Sequence, residues 1–134
     1  NNAQSRKEER MNDSIIRVFI KFEVPAGKVN EVKSLLSELI DNCKAEEPTL
    51  YSYEFFFSDD DSEFYALEWY KDSEAILAHM GVGGETLQKL LETAKATRID
   101  VMGNLTDAVR EQLSAFNPVI NKYWGGFRRI PDSV

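Results

Sequence analysis

Residues Glu63 to Met80 read Glu-Phe-Tyr-Ala-Leu-Glu-Trp-Tyr-Lys-Asp-Ser-Glu-Ala-Ile-Leu-Ala-His-Met. Phe64, Ala66, Glu68 and Tyr70 alternate with Tyr65, Leu67 and Trp69, the period of two that an extended strand requires. Lys71-Asp72-Ser73 ends the alternation, and Asp72 or Ser73 can cap a helix by accepting a bond from an unpaired backbone N–H. Beyond the cap, Ala75, Ile76, His79 and Met80 recur at helical spacing, so the inward face of this helix carries the only histidine of the chain. An aromatic strand turning straight into a short helix makes a corner, and the flanking segments are arranged to support it.

Upstream, Ile16, Val18, Ile20, Phe22 and Val24 alternate with Arg17, Phe19, Lys21 and Glu23, a first strand closed by the turn Pro25-Ala26-Gly27-Lys28. Val29, Val32, Leu35, Leu36, Leu39, Ile40 and Cys43 then form a helical stripe. Glu46-Glu47-Pro48 stops that helix, because the residue before a proline resists the α region. Leu50 to Phe57 reads as a second strand with Tyr51, Tyr53, Phe55 and Phe57 on one face. Residues 58–62 are a polar hairpin loop whose run of aspartates lacks the alternating ligands, the glycine and the closing glutamate of a calcium loop.

Downstream, Gly81-Val82-Gly83-Gly84 is expected to be a flexible joint between two half-helices, with helix resuming from Glu85 to Lys95 and Leu87, Leu90, Leu91 and Ala94 turned inward. Thr97 to Met102 is a fourth strand. The order β-α-β-β-α-β predicts a ferredoxin-like α+β domain over residues 15–103, with both helices on one face of an antiparallel sheet. Residues 1–14 are expected to be a frayed arm or an expression remnant. Residues 104–134 predict an extra helix from Thr106, striped by Leu105, Val109, Leu113 and Phe116. A tail bearing Tyr123, Trp124 and Phe127 follows, expected to pack on the body or on a neighbouring subunit.

The 134 residues suit one domain, and 43% apolar content suits a globular one. No run approaches the roughly 20 apolar residues of a membrane span, and residues 1–14 lack the apolar core of a secretory signal, so a cytoplasmic protein is expected. A net charge of −7 argues against a nucleic-acid partner, which would need clustered Lys and Arg. The lone Cys43 reads as a small buried hydrophobe. One His and one Cys on different helices predict no metal site, and the Gly81–Gly84 spacing is not a dinucleotide fingerprint, so no cofactor is expected.

His79 is the candidate catalytic residue, since imidazole titrates near neutrality and can take a phenolic proton. The alternative is a core histidine bonded to a backbone carbonyl or to Glu68. Tyr51, Tyr53, Tyr65, Trp69 and Tyr70 could wall an aromatic pocket or be ordinary core. Arg17, Glu54, Glu68, Arg98 and Asp100 lie on strands, as a substrate-binding charge cluster or as a salt-bridged sheet face or subunit interface. The candidate substrate-binding set is therefore Arg17, Tyr53, Tyr65, Glu68, Trp69, Tyr70 and Arg98.

Three segments resemble the antibiotic biosynthesis monooxygenase family: the Pro-Ala-Gly-Lys turn, Ala45-Glu46-Glu47-Pro48 before an aromatic strand, and Glu68-Trp69-Tyr70-Lys71-Asp72-Ser73-Glu74-Ala75 leading to His79. Tyr70 stands where that family carries its tryptophan, and Thr49 where a glycine follows the proline. The resemblance covers roughly residues 15–102 and implies a dimeric α/β barrel, a homodimer paired through its open sheet faces. It also implies oxidation of a small aromatic or quinol-like substrate by O2 without a cofactor, with tyrosines and Trp69 or Tyr70 as walls and an arginine steadying the oxyanion. The other reading is a non-catalytic dimer that binds a small ligand or a protein partner.

Overall fold

The computed structural model describes residues 14–129. The expectation for the amino-terminal arm falls on residues 1–13, outside the described part apart from Ser14, and residues 130–134 of the tail also lie outside it. Among the described residues the order is β1 (Ile16–Glu23), α1 (Val29–Glu46), β2 (Leu50–Phe57), β3 (Glu63–Tyr70), α2 (Ser73–Thr93), β4 (Lys95–Met102), α3 (Asp107–Leu113), a 3-10 turn (Ser114–Phe116) and β5 (Val119–Asn121). The strands form one sheet in the order β2-β3-β1-β4-β5. β1 lies between β3 and β4 and is antiparallel to both, β2 is antiparallel to β3, and β5 alone runs parallel to its neighbour β4. The first four strands carry the ferredoxin-like arrangement that the alternations predict.

Alternation gives the sheet two unlike faces. Ile16, Val18, Phe22, Phe64, Ala66, Tyr70 and Val101 are buried on the face covered by α1, α2 and α3. The core under the helices has two parts: one joins Ile16, Tyr70 and Val101 to Ile76 and α3, the other joins Phe22 and Phe64 to Val32, Leu36, Leu39 and Leu90. Phe64 is the hub of the second part, stacked on Phe22 at 4.6 Å and on Phe57 at 5.0 Å between ring centroids. The other face is a grid of rows fixed by register: Ser52, Trp69, Arg17 and Met102, then Glu54, Leu67, Phe19 and Asp100, then Phe56, Tyr65, Lys21 and Arg98.

Four details differ from the sequence expectations. A register shift between Leu50 and Ser52 puts Leu50, not Tyr51, against the core on the side that Tyr53 shares, because one extra residue in a strand reverses its alternation. The glycine cluster does not open the helix throughout: α2 continues to Gly83 and breaks at Gly84 alone, where φ is +48°. Gly83 remains helical, and its missing Cβ lets Leu87 approach, whose Cβ would stand 2.8 Å from a Cβ at residue 83. Lys95 begins β4 instead of ending the helix, and Leu91 is exposed.

The tail adds β5 to the edge of β4. Gly103 N–H donates to the Asn121 carbonyl at 2.8 Å, and the Asn121 amide donates to the Val101 carbonyl at 3.3 Å. Thr106 caps α3 by accepting from Val109 N–H, which turns Leu105, Val109 and Leu113 into the core. Trp124 and Phe127 do not pack on the body; they are 97% and 78% exposed. Arg128 lies over the Trp69 ring, 5.9 Å from its centroid. No helix among the described residues is long and apolar enough to cross a membrane.

Candidate functional site

A cavity of about 280 Å³ lies between the two parts of the core. Its walls come from β1, β3 and β4 below, through Val18, Ile20, Ala66 and Ile99, and from α2 above, through Ile76, Met80, Leu87 and Leu90. Gly84, Leu91, Phe116 and Pro118 also border it, so the break in α2 and the segment after α3 both reach the cavity. Most of the lining is apolar; its polar side chains are Tyr53, Glu68, Tyr70 and His79, gathered at one end, and Gln88 on the second half of α2.

The chain brings these four together from separate elements. Glu68 and Tyr70 are two residues apart on β3 and therefore share its covered face. His79 lies in the second turn of α2, whose start is held by Asp72 accepting from Ala75 N–H at 3.0 Å. Tyr53 packs edge-on to the His79 ring at 5.0 Å and Tyr70 at 5.7 Å, so the imidazole stands between two phenols.

Behind His79 stands Glu47. Its Oε2 is 2.9 Å from His79 Nδ1, and both side chains are buried. A carboxylate can only accept, so Nδ1 carries the shared proton and Nε2 is left as the basic nitrogen of the neutral ring. Nε2 lies 4.0 Å from Glu68 Oε1, which also accepts a short hydrogen bond from the Tyr70 hydroxyl. Burial alone would lower the pKa of His79, but the Glu47 hydrogen bond and the charges of Glu68 and Glu47 outweigh it and raise the value above 6.5. Burial raises Glu68 above 4.5, against the opposing pull of His79, and lifts the Tyr53 and Tyr70 phenols so that both remain hydrogen-bond donors. Glu47 Oε1 is buried with no partner among the described residues, a burden of about 1–3 kcal/mol by the usual desolvation scale.

Cys43 completes the back of the site, its Sγ 3.7 Å from His79 Nδ1. Burial, then the hydrogen bond to Glu47, push its thiol up to about 12, so it is protonated and unreactive near neutrality. It is a buried small side chain as expected; although Cys43 and His79 stand on different helices, α1 and α2 pack side by side, and Cys43, Glu47 and His79 place one donor atom each within 4.8 Å of one another. These three are the residues that could meet a metal ion. The 2.9 Å contact inside the trio is a hydrogen bond.

The seven expected substrate-binding residues divide by sheet face. Tyr53, Glu68 and Tyr70 border the cavity with His79. Arg17, Tyr65, Trp69 and Arg98 stand on the opposite face, where the Arg17 guanidinium covers the Trp69 ring at 4.3 Å and Arg98 pairs with Asp100 at 2.6 Å. Strand parity separates them, and the expectation that an arginine reaches a substrate oxyanion in this cavity is corrected: no Arg or Lys lines it among the described residues. His79 bonds neither a backbone carbonyl nor Glu68 most closely, but Glu47. In the sequence Glu47 stands only as part of the helix stop before Pro48. The signal for it was present: Val32, Leu36, Leu39 and Cys43 mark the buried face of α1, and the next position of that stripe is residue 47.

The buried carboxyl gives a measurable pH dependence. Folding raises the pKa of Glu68, so from about pH 4.5 upward the folded state holds more protons than the unfolded chain, and stability falls as pH rises through the folded value. One such group contributes a slope of at most about 1.4 kcal/mol per pH unit. His79 has the same sign, beginning at 6.5. Urea unfolding of Glu68→Gln between these two pH values should therefore show a flatter profile than the parent chain.

A family model described as antibiotic biosynthesis monooxygenase matches residues 15–84. Among solved structures, MupZ from Pseudomonas fluorescens is 23% identical over 90% of this chain and 97% of its own, with a TM-score of 0.79. A conserved protein from Methanosarcina mazei Go1 is 22% identical over 72% of this chain and 98% of its own, with a TM-score of 0.62. SnoaB, a cofactor-independent oxygenase from Streptomyces nogalater, is 14% identical over 69% of this chain and 95% of its own, with a TM-score of 0.59. At these identities the likeness establishes a shared fold. No curated protein matches the chain. With the family match spanning more than half of the sequence and the sheet and helices arranged as in these structures, the protein belongs to the antibiotic biosynthesis monooxygenase family.

Proposed function

We propose that the cavity is the active site of a cofactor-independent oxygenase for a small aromatic or quinol-like molecule, with His79 as general base. One observation carries this reading: a single basic nitrogen, oriented by Glu47, sits at the polar end of a largely apolar cavity of about 280 Å³. A phenol or an activated methylene bound there loses a proton to Nε2, and the resulting imidazolium lies between Glu47 and Glu68. The electron-rich anion then reacts with O2. For a methylene oxidised to a carbonyl, one oxygen atom stays on carbon, the other leaves as water, and no outside reductant is consumed. Tyr53 and Tyr70 supply aromatic walls, and with the Tyr70 hydroxyl committed to Glu68, the anion is held by the new Nε2–H of His79 and the Tyr53 hydroxyl in place of an arginine. Family membership and the shared fold with SnoaB support the reaction class. The test is oxygen uptake with a panel of naphthoquinols and anthrones: uptake that matches product formation and disappears in His79→Asn supports the reading, and uptake no faster than autoxidation across the panel rejects it.

The working unit in this reading is a homodimer paired through the uncovered sheet face. Phe19, Leu67 and Trp69 are half-buried there and Phe56 and Tyr65 are exposed, an apolar centre edged by Lys21, Arg98 and Asp100. Leu67 is central to that grid, so Leu67→Asp should halve the mass seen in sedimentation while leaving the far-ultraviolet dichroism intact. An unchanged dimer would place the contact elsewhere.

A further inference from the structure

We propose that the same site carries a second, redox-neutral activity: proton-transfer isomerisation of a neutral, ring-sized ketone, with His79 Nε2 as the base and the Glu68 carboxyl, braced by Tyr70, as the acid. The proposal rests on the reading of His79 as a base and departs from it in needing no oxygen. The geometry is that of an acid and a base facing one substrate. Glu68 Oε1 and His79 Nε2 are 4.0 Å apart, both residues border the cavity, and the rest of the lining is apolar apart from Tyr53, Tyr70 and Gln88. Glu47 fixes the imidazole from behind, and the Tyr70 hydroxyl fixes the carboxyl from the side.

The sign of the charges decides the substrate class. With the Glu47 carboxylate just behind His79, Glu68 in the lining and no Arg or Lys among the described lining residues, nothing offsets the charge of a carboxylate or phosphate ligand, whereas a neutral carbonyl can accept a hydrogen bond. An enolate oxygen formed there needs a proton or a strong hydrogen bond, because no Arg or Lys is at hand among the described lining residues and the new imidazolium is paired with Glu47. Glu68 suits that role, being 5% exposed and favouring its neutral, donating form more than an ordinary carboxyl does. In a β,γ-unsaturated ketone the step balances without a co-reactant. The proton on C2 passes to Nε2, and the C–H electron pair becomes the C1–C2 double bond of a dienol whose oxygen takes the Glu68 proton. The O–H proton then returns to Glu68 while the Nε2 proton is delivered to C4, and the remaining double bond ends conjugated to the carbonyl. Removal and return occur on the same side of one allylic system, so a single imidazole serves both.

The experiment uses the full chain, without oxygen, and two probes: conversion of 3-cyclohexen-1-one to its conjugated isomer by ultraviolet absorbance, and deuterium uptake at the α-carbons of 2-indanone by NMR. Acceleration of about 100-fold or more over buffer is expected. His79→Asn should remove it. Glu68→Gln, which keeps a donor that does not titrate, should retain part of the rate and lose the alkaline limb of the pH profile; a merely structural role would leave the profile unmoved. A rate within about threefold of buffer for both probes overturns the proposal, as does acceleration that survives His79→Asn. Isomerisation together with absent oxygen uptake on the quinol panel would uphold this activity and defeat the oxygenase reading. His79-dependent oxygen uptake without isomerisation would do the reverse.

Discussion

His79→Asn should fold and lose about 10²–10⁴-fold in turnover, the usual contribution of a positioned general base. Asparagine places an amide N–H close to where Nδ1 stands, so Glu47 keeps a donor, while the Nε2 lone pair is gone. His79→Ala removes both. It strands the Glu47 carboxylate, whose other oxygen already lacks a partner among the described residues, in a buried pocket. Breaking such a pair from one side costs about 3–5 kcal/mol, so the alanine variant should be unstable as well as inactive. The contrast separates chemistry from structure: equal melting temperatures with unequal rates assign His79 a catalytic role, and equal rates remove it. Substrate binding, measured by fluorescence, should survive the asparagine substitution.

The largest effect on stability is expected at Phe64. It is completely buried, stacked between Phe22 and Phe57, with Phe55 edge-on at 6.2 Å. Its neighbours come from β1 and β2, strands that the sheet holds in register, so they cannot close over the space a truncation leaves. Phe64→Ala should therefore cost about 3–5 kcal/mol and lower Tm by roughly 10–20 °C. The denaturant slope should stay unchanged, since the same surface is exposed on unfolding. A loss below about 1 kcal/mol would mean that the ring is not the packing centre described here.

How far the sequence could be read follows from what periodicity encodes. The alternations of β1 and β3 and the stripe of α1 placed Phe64, Ala66, Glu68 and Tyr70 together on one face and fixed the element order. They did not say which face the helices cover, so Tyr65, Trp69, Arg17 and Arg98 were equally plausible site residues. The covered face became identifiable only when α2 carried His79 down onto Tyr53 and Tyr70. Glu47 escaped because a charged residue before a proline looks like a helix stop, and its burial depends on α1 and α2 lying side by side. β5 escaped because Val119–Asn121 is too short to show a period, and its pairing is set by β4. The break at Gly84 was legible in kind, but its restriction to one residue was not, because four neighbouring positions with three glycines all permit it.

The central claim is that Glu47 holds His79 as the basic group of the cavity. Because the chain contains one histidine, its imidazole nitrogens give a single assignable set of NMR signals. A pH titration of those signals in the untagged protein and in Glu47→Gln tests the claim most directly. The account predicts proton occupancy on Nδ1 in the neutral form, a pKa above 6.5 in the parent chain, a clear fall in Glu47→Gln, and a shift of Nε2 when an aromatic ligand binds. A pKa at or below 6.5 that ignores the Glu47 substitution, with nitrogens blind to ligand, would contradict it.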